Sequence, residues 1–196
     1  MKIVHLIAGI ALSATPSLAE ETTQLDAHEH GVGQLNIAFD ENKVAMELHA
    51  PGADIVGFEY GAKSDVDLAA IDAALQTLSD PLGLFLLPEA ASCIVTTAHA
   101  KLESEDSDHD DHDEEGHDDH DDEGHDDHDE APGHTEFHAE YLLECANLAE
   151  ISAITFSYFE IFPNALELEV QVISDKGATA FEIERDVAKL DLRGIF

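Results

Sequence analysis

Between Glu103 and Glu130 the chain reads ESEDSDHDDHDEEGHDDHDDEGHDDHDE. A unit H-D-D-H-D-[ED]-E-G occurs twice and begins a third time. Its histidines therefore fall in pairs: His109 and His112, His117 and His120, His125 and His128. Neutral imidazole is a borderline ligand that suits Zn, Cu, Ni and Fe, and carboxylates add harder oxygens beside it. A His-x-x-His pair closes a short chelate loop. Repeating it raises the local ligand concentration, so a released ion is recaptured. The chemistry expected is reversible, multidentate binding of a divalent transition ion such as Zn(II). Nickel or copper handling, or metal buffering, are the alternatives, because imidazole takes Cu(II) and Ni(II) as readily. A charge run without histidine would read as a solvated spacer; six histidines in register with a repeat do not.

The same tract has no Lys or Arg and almost no apolar side chain. It cannot bury enough surface to offset its ordering entropy, so it is expected to be disordered on its own. The elements that would position any firmer site must come from the rest of the chain.

Met1–Ala19 carries Lys2, an apolar stretch and a small-x-small end at Ser17-Leu18-Ala19. It reads as a secretory signal peptide, followed by a single domain over 20–196 that the tract interrupts at 103–134. An exported chain, most simply periplasmic, is expected. No later run reaches the length of a membrane span. With 44 acids against eight Lys and Arg the net charge is -36, which disfavours nucleic acid and anionic lipid and favours cations. Once the signal and the tract are set aside, roughly 150 residues remain, enough for one core. The two cysteines, Cys93 and Cys145, flank the tract. In an exported protein they read most simply as a disulfide, with two thiolate ligands as the alternative.

Gln34–Asp40 and Lys43–Ala50 alternate apolar and polar residues around Glu41-Asn42, a hairpin signal. A two-residue turn pairs Asp40 with Lys43, Leu35 with Leu48 and Gln34 with His49. Extended backwards, the first strand would bring His28 and His30 to the His49 face, a candidate second set of metal ligands. Ser64 is expected to cap a helix whose core face is Leu68, Ile71, Leu75 and Leu78. Ser92–Leu102 and Phe137–Cys145 form a long hairpin with the tract at its tip. His99, His134 and His138 sit near its mouth. Segments at Ala153–Phe156, Ala165–Ser174 and Ala178–Arg185, and a short one at Ala188–Leu192, complete the pattern. The sum is an α+β fold: six or seven mostly antiparallel strands and one main helix.

HEHGVGQLNIA, ELHAPGADIVGFEY, a cysteine before a His/Asp-rich insertion, EFHAEYLLEC and IFPNALELEVQVIS stand in that order. Together they resemble the ZrgA family of periplasmic zinc-binding proteins, from His28 to about Gly177. The resemblance implies a zinc-binding component of an uptake system that works with inner-membrane transport proteins, and a disulfide across the insertion. The chain departs from the family pattern at Tyr60, where a His follows Gly-Phe-Glu, so a folded-domain site would be differently built here.

Two other function classes are weaker. A hydrolase would need His-Glu-x-x-His, Gly-x-Ser-x-Gly or a rigid three-ligand set, and none is legible. An adaptor would use the acidic tract to bind a basic partner, with or without metal. Metal capture by imidazole is expected to weaken below about pH 6, given an ordinary pKa near 6.5.

Overall fold

The structure is a computed structural model, and it describes residues 29–104 and 134–195. The signal segment, His28 and the six tract histidines lie outside the described residues.

Strands β1 (Val32–Asp40) and β2 (Lys43–Pro51) form the expected hairpin, with Gln34 opposite His49, Leu35 opposite Leu48 and Asp40 opposite Lys43. Glu41 sits at φ 52 in the tight turn between them. One helical turn, α1 (Gly52–Ile55), ends the hairpin. Helix α2 (Asp65–Leu78) begins where Ser64 caps it, the hydroxyl accepting from the Asp67 N–H at 3.1 Å. Its buried stripe is Ile71, Ala74 and Leu78. Leu68, expected on that stripe, is 49% exposed: burial on α2 begins one turn later, at Ile71. Asp80-Pro81 stops the helix, and Pro81 opens a further turn, α3 (Pro81–Leu84).

Strand β3 (Phe85–Leu86) follows. Strands β4 (Cys93–Ser104) and β5 (Thr135–Cys145) make the long hairpin, irregular only at a bulge between Val95 and Thr97. The Thr96 hydroxyl donates to the Leu142 carbonyl across that bulge at 2.8 Å. Cys93 and Cys145 are direct partners in this ladder and are joined as a disulfide. The chain closes with β6 (Ala153–Phe156), the turn α4 (Tyr158–Ile161), β7 (Glu167–Ser174), β8 (Gly177–Glu184) and β9 (Lys189–Asp191).

The strands form two sheets. Six lie in the order β4-β5-β2-β1-β7-β8, and β3-β6-β9 form a small second sheet. The expected count of six or seven strands is thus exceeded among the described residues. The large sheet is also mixed, since β1 and β7 run parallel while its other neighbours are antiparallel. Three one-turn helices accompany the main one.

Alternation divides the large sheet into two faces. Leu35, Ile37, Val44, Met46, Leu48, Phe137, Tyr141, Leu143, Leu168 and Val170 are buried against the small sheet, α2 and α4. The opposite face carries Gln34, Asn36, Glu47, His49, Lys101, Glu103, Glu136, His138, Glu140 and Glu169. No helix among the described residues is long and apolar enough to cross a membrane.

Candidate metal centre

The β2–β5 ladder places His49 directly opposite His138 and Pro51 opposite Glu136. Glu136 and His138 are two residues apart on one strand, so they point the same way. The residues between and beside them, Thr135, Phe137 and Ala139, face inward and are buried. Packing of those three against the core therefore fixes which way Glu136 and His138 face.

His49, Glu136 and His138 each offer one ligand atom, and these atoms lie within 4.8 Å of one another. Glu136 Oε2 is 2.5 Å from His138 Nε2 and 3.6 Å from His49 Nδ1. Zinc with ligand bonds of about 2.0–2.1 Å sets neighbouring donors about 3.3 Å apart in a tetrahedron. The two distances to Glu136 lie 0.8 Å below and 0.3 Å above that spacing. Two imidazoles and one carboxylate, with a fourth position open, is a known zinc ligand pattern. On β4, Glu103 lies opposite Glu136, and its Oε2 is 3.3 Å from His138 Nε2, within reach of that fourth position.

A carboxylate also holds the far side of His49. Glu47 Oε1 is 3.3 Å from His49 Nε2, leaving Nδ1 directed at Glu136. Such an outer carboxylate orients a ligand ring and accepts the proton it must shift when the other nitrogen takes metal. The charge balance is consistent with this. The hydrogen bond to Glu136 raises the His49 pKa; burial opposes it, and Glu47 adds to it. Burial works against ionised Glu136, yet its bonds with His138 and His49 win and bring its pKa to about 2. Glu103 is lowered first by its pairing with Lys101, against burial. The side chains of His49, Glu136 and His138 are 27%, 15% and 17% exposed, so the donors are held by the fold and still reachable from solvent.

The expected grouping of His30 with His49 is not what the fold makes. Val32 begins β1, and Gly31, at φ 89, turns the chain so that Val32 N–H donates to the Glu29 carbonyl. Strand parity therefore stops before His30, whose Nε2 instead lies 2.9 Å from Glu59 Oε2. The group around His49 is completed by β5. His138 was visible near the mouth of the insertion; Glu136 was not singled out, although the alternation Glu136-Phe137-His138 was its signal. His99 is exposed opposite Glu140, outside the group. Tyr60 stacks on Phe58 with ring centroids 4.8 Å apart. The thiolate alternative for Cys93 and Cys145 is overturned by their disulfide.

A family profile described as ZrgA family zinc uptake protein matches residues 27–192. No curated protein matches the chain. The match covers nearly all of the described residues, whose sheet carries two imidazoles and a carboxylate grouped where they could hold a metal ion: the chain belongs to the ZrgA family of zinc uptake proteins.

Proposed function

We propose that this protein captures Zn(II) in the periplasm and holds it at His49, Glu136 and His138 before passing it to a membrane uptake partner. The six tract histidines, His109 to His128, act as the collecting arm, and the sheet site acts as the firmer station. The observation that supports this most strongly is the convergence of His49 Nδ1, His138 Nε2 and a Glu136 oxygen on a half-buried sheet face.

Loading follows from the residues. Zinc takes His49 Nδ1, the imidazole keeps or moves its proton to Nε2, and Glu47 accepts the resulting hydrogen bond. His138 Nε2, hydrogen-bonded to Glu136, supplies the second imidazole donor. Protons held at His49, whose hold on them Glu136 strengthens, are displaced as the ion binds. Glu136 supplies negative charge that offsets the cation, and Glu103 stands ready as an exchangeable fourth donor. A site with one loose position releases its ion more readily than a closed tetrahedral site. With both cysteines of the chain in one disulfide, no thiolate is left to favour Cu(I).

The test is competition of the mature chain against a chromophoric zinc chelator. The expected result is that His49→Asn with His138→Asn removes the tightest site and leaves the weaker tract sites. Retention of the tightest site in that double variant would place it in the tract instead.

A further inference from the structure

Edge strand β4 brings two more side chains to the metal face. Lys101 stands opposite His138, and Glu103 stands opposite Glu136. Alternate residues of one strand share a face, and Leu102 between these two packs against the core, which turns both outward. Lys101 is the one Lys or Arg in β4 and β5, and the carboxylates Glu103, Glu136 and Glu140 share its face. A fixed cation therefore sits one strand over from an imidazole of the candidate metal centre.

Lys101 forms an ion pair with Glu103 through Oε1 of the carboxylate. The other oxygen, Oε2, lies 3.3 Å from His138 Nε2. Glu103 thus stands between ammonium and imidazole, with one oxygen toward each. So placed, it stays outside the group of His49, Glu136 and His138, whose donor atoms lie within 4.8 Å of one another. The charge that the ammonium neutralises is charge that a bound ion does not feel. The pair is also open to exchange, since Lys101 is 49% exposed and Glu103 26%, and exposed pairs hold weakly.

We propose that Lys101 is a positioning residue that governs release of the ion: it draws Glu103 away from bound Zn(II), so that the ion rests on three donors and can leave. A fourth protein donor would close the tetrahedron and slow departure. Lys101 acts through Glu103 and makes no contact with the ion. The inference rests on the reading of His49, Glu136 and His138 as the zinc site, and adds the residue that keeps that site exchangeable. A protein that stores zinc gains from the opposite arrangement; a carrier that hands its ion on gains from this one.

Kinetics separate this role from that of a nearby charge. A rim charge acting at long range alters the association rate. A cation that withholds a donor alters dissociation, and does so only while that donor is present.

The test uses the full mature chain with His109, His112, His117, His120, His125 and His128 each changed to Asn, so that the folded domain alone is read. Zinc dissociation is followed by stopped flow into an excess of a chromophoric chelator, and association by mixing with zinc. Lys101→Met is expected to slow dissociation about threefold to fivefold, the range an exposed ion pair can supply. On a Glu103→Gln background the same change should not alter dissociation. Lys101→Arg keeps the charge and should lie nearer the parent than Lys101→Met. Lys43→Met makes the same charge change ~20 Å from His49 along β2, beyond the screening length, and should leave dissociation as it is. Lys101→Gln carries the comparison should the Met variant perturb β4. Dissociation unchanged on loss of the Lys101 charge, or slowed equally with and without Glu103, would overturn the proposal, as would a change confined to association. Zinc binding retained by His49→Asn with His138→Asn would overturn the sheet site and this proposal with it. Binding lost in that variant, beside unchanged dissociation in Lys101→Met, would overturn the role of Lys101 alone.

Discussion

His49 and His138 face each other across β2 and β5 with ring centroids 4.1 Å apart and planes inclined by 59°. Two imidazoles at that separation, both facing one carboxylate, have little reason to be held together by packing alone. Each ring instead keeps one nitrogen on Glu136. A zinc ion between them would replace those shared protons without moving the strands.

Glu136 is the residue on which the arrangement turns. Replacing it by Gln removes the ligand's charge, and zinc affinity is expected to fall by at least the ~100-fold that loss of an outer carboxylate can cost. Stability should also change with pH. Because the folded pKa is near 2, below its ordinary value of 4.5, the carboxylate stabilises the fold above about pH 4.5 and loses that contribution as pH falls through 2. The magnitude is on the order of 1–2 kcal/mol. Denaturant titrations of the metal-free protein at pH 6 and pH 3 should show the gap between parent and Glu136→Gln narrowing at the lower pH.

His49 moves the other way. Its pKa is raised from 6.5, so protons compete with zinc at this ring to a higher pH than at a free imidazole. Apparent affinity at the sheet site should therefore keep climbing as pH rises past 6.5. In the metal-free protein the same shift means that the stability His49 contributes is complete below pH 6.5 and fades as pH rises through its folded pKa. Calorimetry in buffers of different ionisation enthalpy should detect proton release at pH 7 that His49→Asn diminishes.

The disulfide and the metal site sit at opposite ends of one hairpin: Cys93 faces Cys145 at one end, and Glu103 faces Glu136 near the other. Reduction should cost about 4 kcal/mol in the chain-entropy account, for a separation of 52 residues. Zinc stoichiometry measured well below the lowered Tm should not change. A fall in stoichiometry on reduction would mean that the far end of the hairpin frays with the near one.

Gly52 is where the loop bearing Glu59 and the start of β5 press together. A Cβ there would collide with the Thr135 hydroxyl and lie 2.7 Å from the Phe58 carbonyl and 3.0 Å from the Thr135 carbonyl. Gly52→Ala is therefore expected to destabilise by about 1–3 kcal/mol. It should also weaken zinc binding at His49, Glu136 and His138, since Glu136 directly follows Thr135. Thermal melts with and without zinc would read both effects in one experiment.

Much of this fold was legible because its signals are local. Alternation around Glu41-Asn42 set the β1–β2 register down to Gln34 opposite His49, and Ser64 marked the start of α2. The β4–β5 hairpin and its cysteines could be placed from either side of the insertion. The parallel pairing of β1 with β7 and the pairing of β2 with β5 join segments far apart in sequence, and alternation gives each strand its faces without naming its neighbour. That is why His49 was visible while Glu136 was not. The grouping of His30 with His49 relied on strand parity that the turn at Gly31, φ 89, interrupts. Leu68 was placed inside by its spacing, but spacing gives a helix its stripe without saying at which turn burial begins.

The central claim is that zinc rests on His49, Glu136 and His138. Anomalous diffraction at the zinc edge from crystals of the zinc-loaded mature protein tests it most directly. A peak within about 2.3 Å of His49 Nδ1, His138 Nε2 and a Glu136 oxygen is the predicted result. Zinc bound elsewhere in the crystal, with no peak between these three side chains, would contradict it.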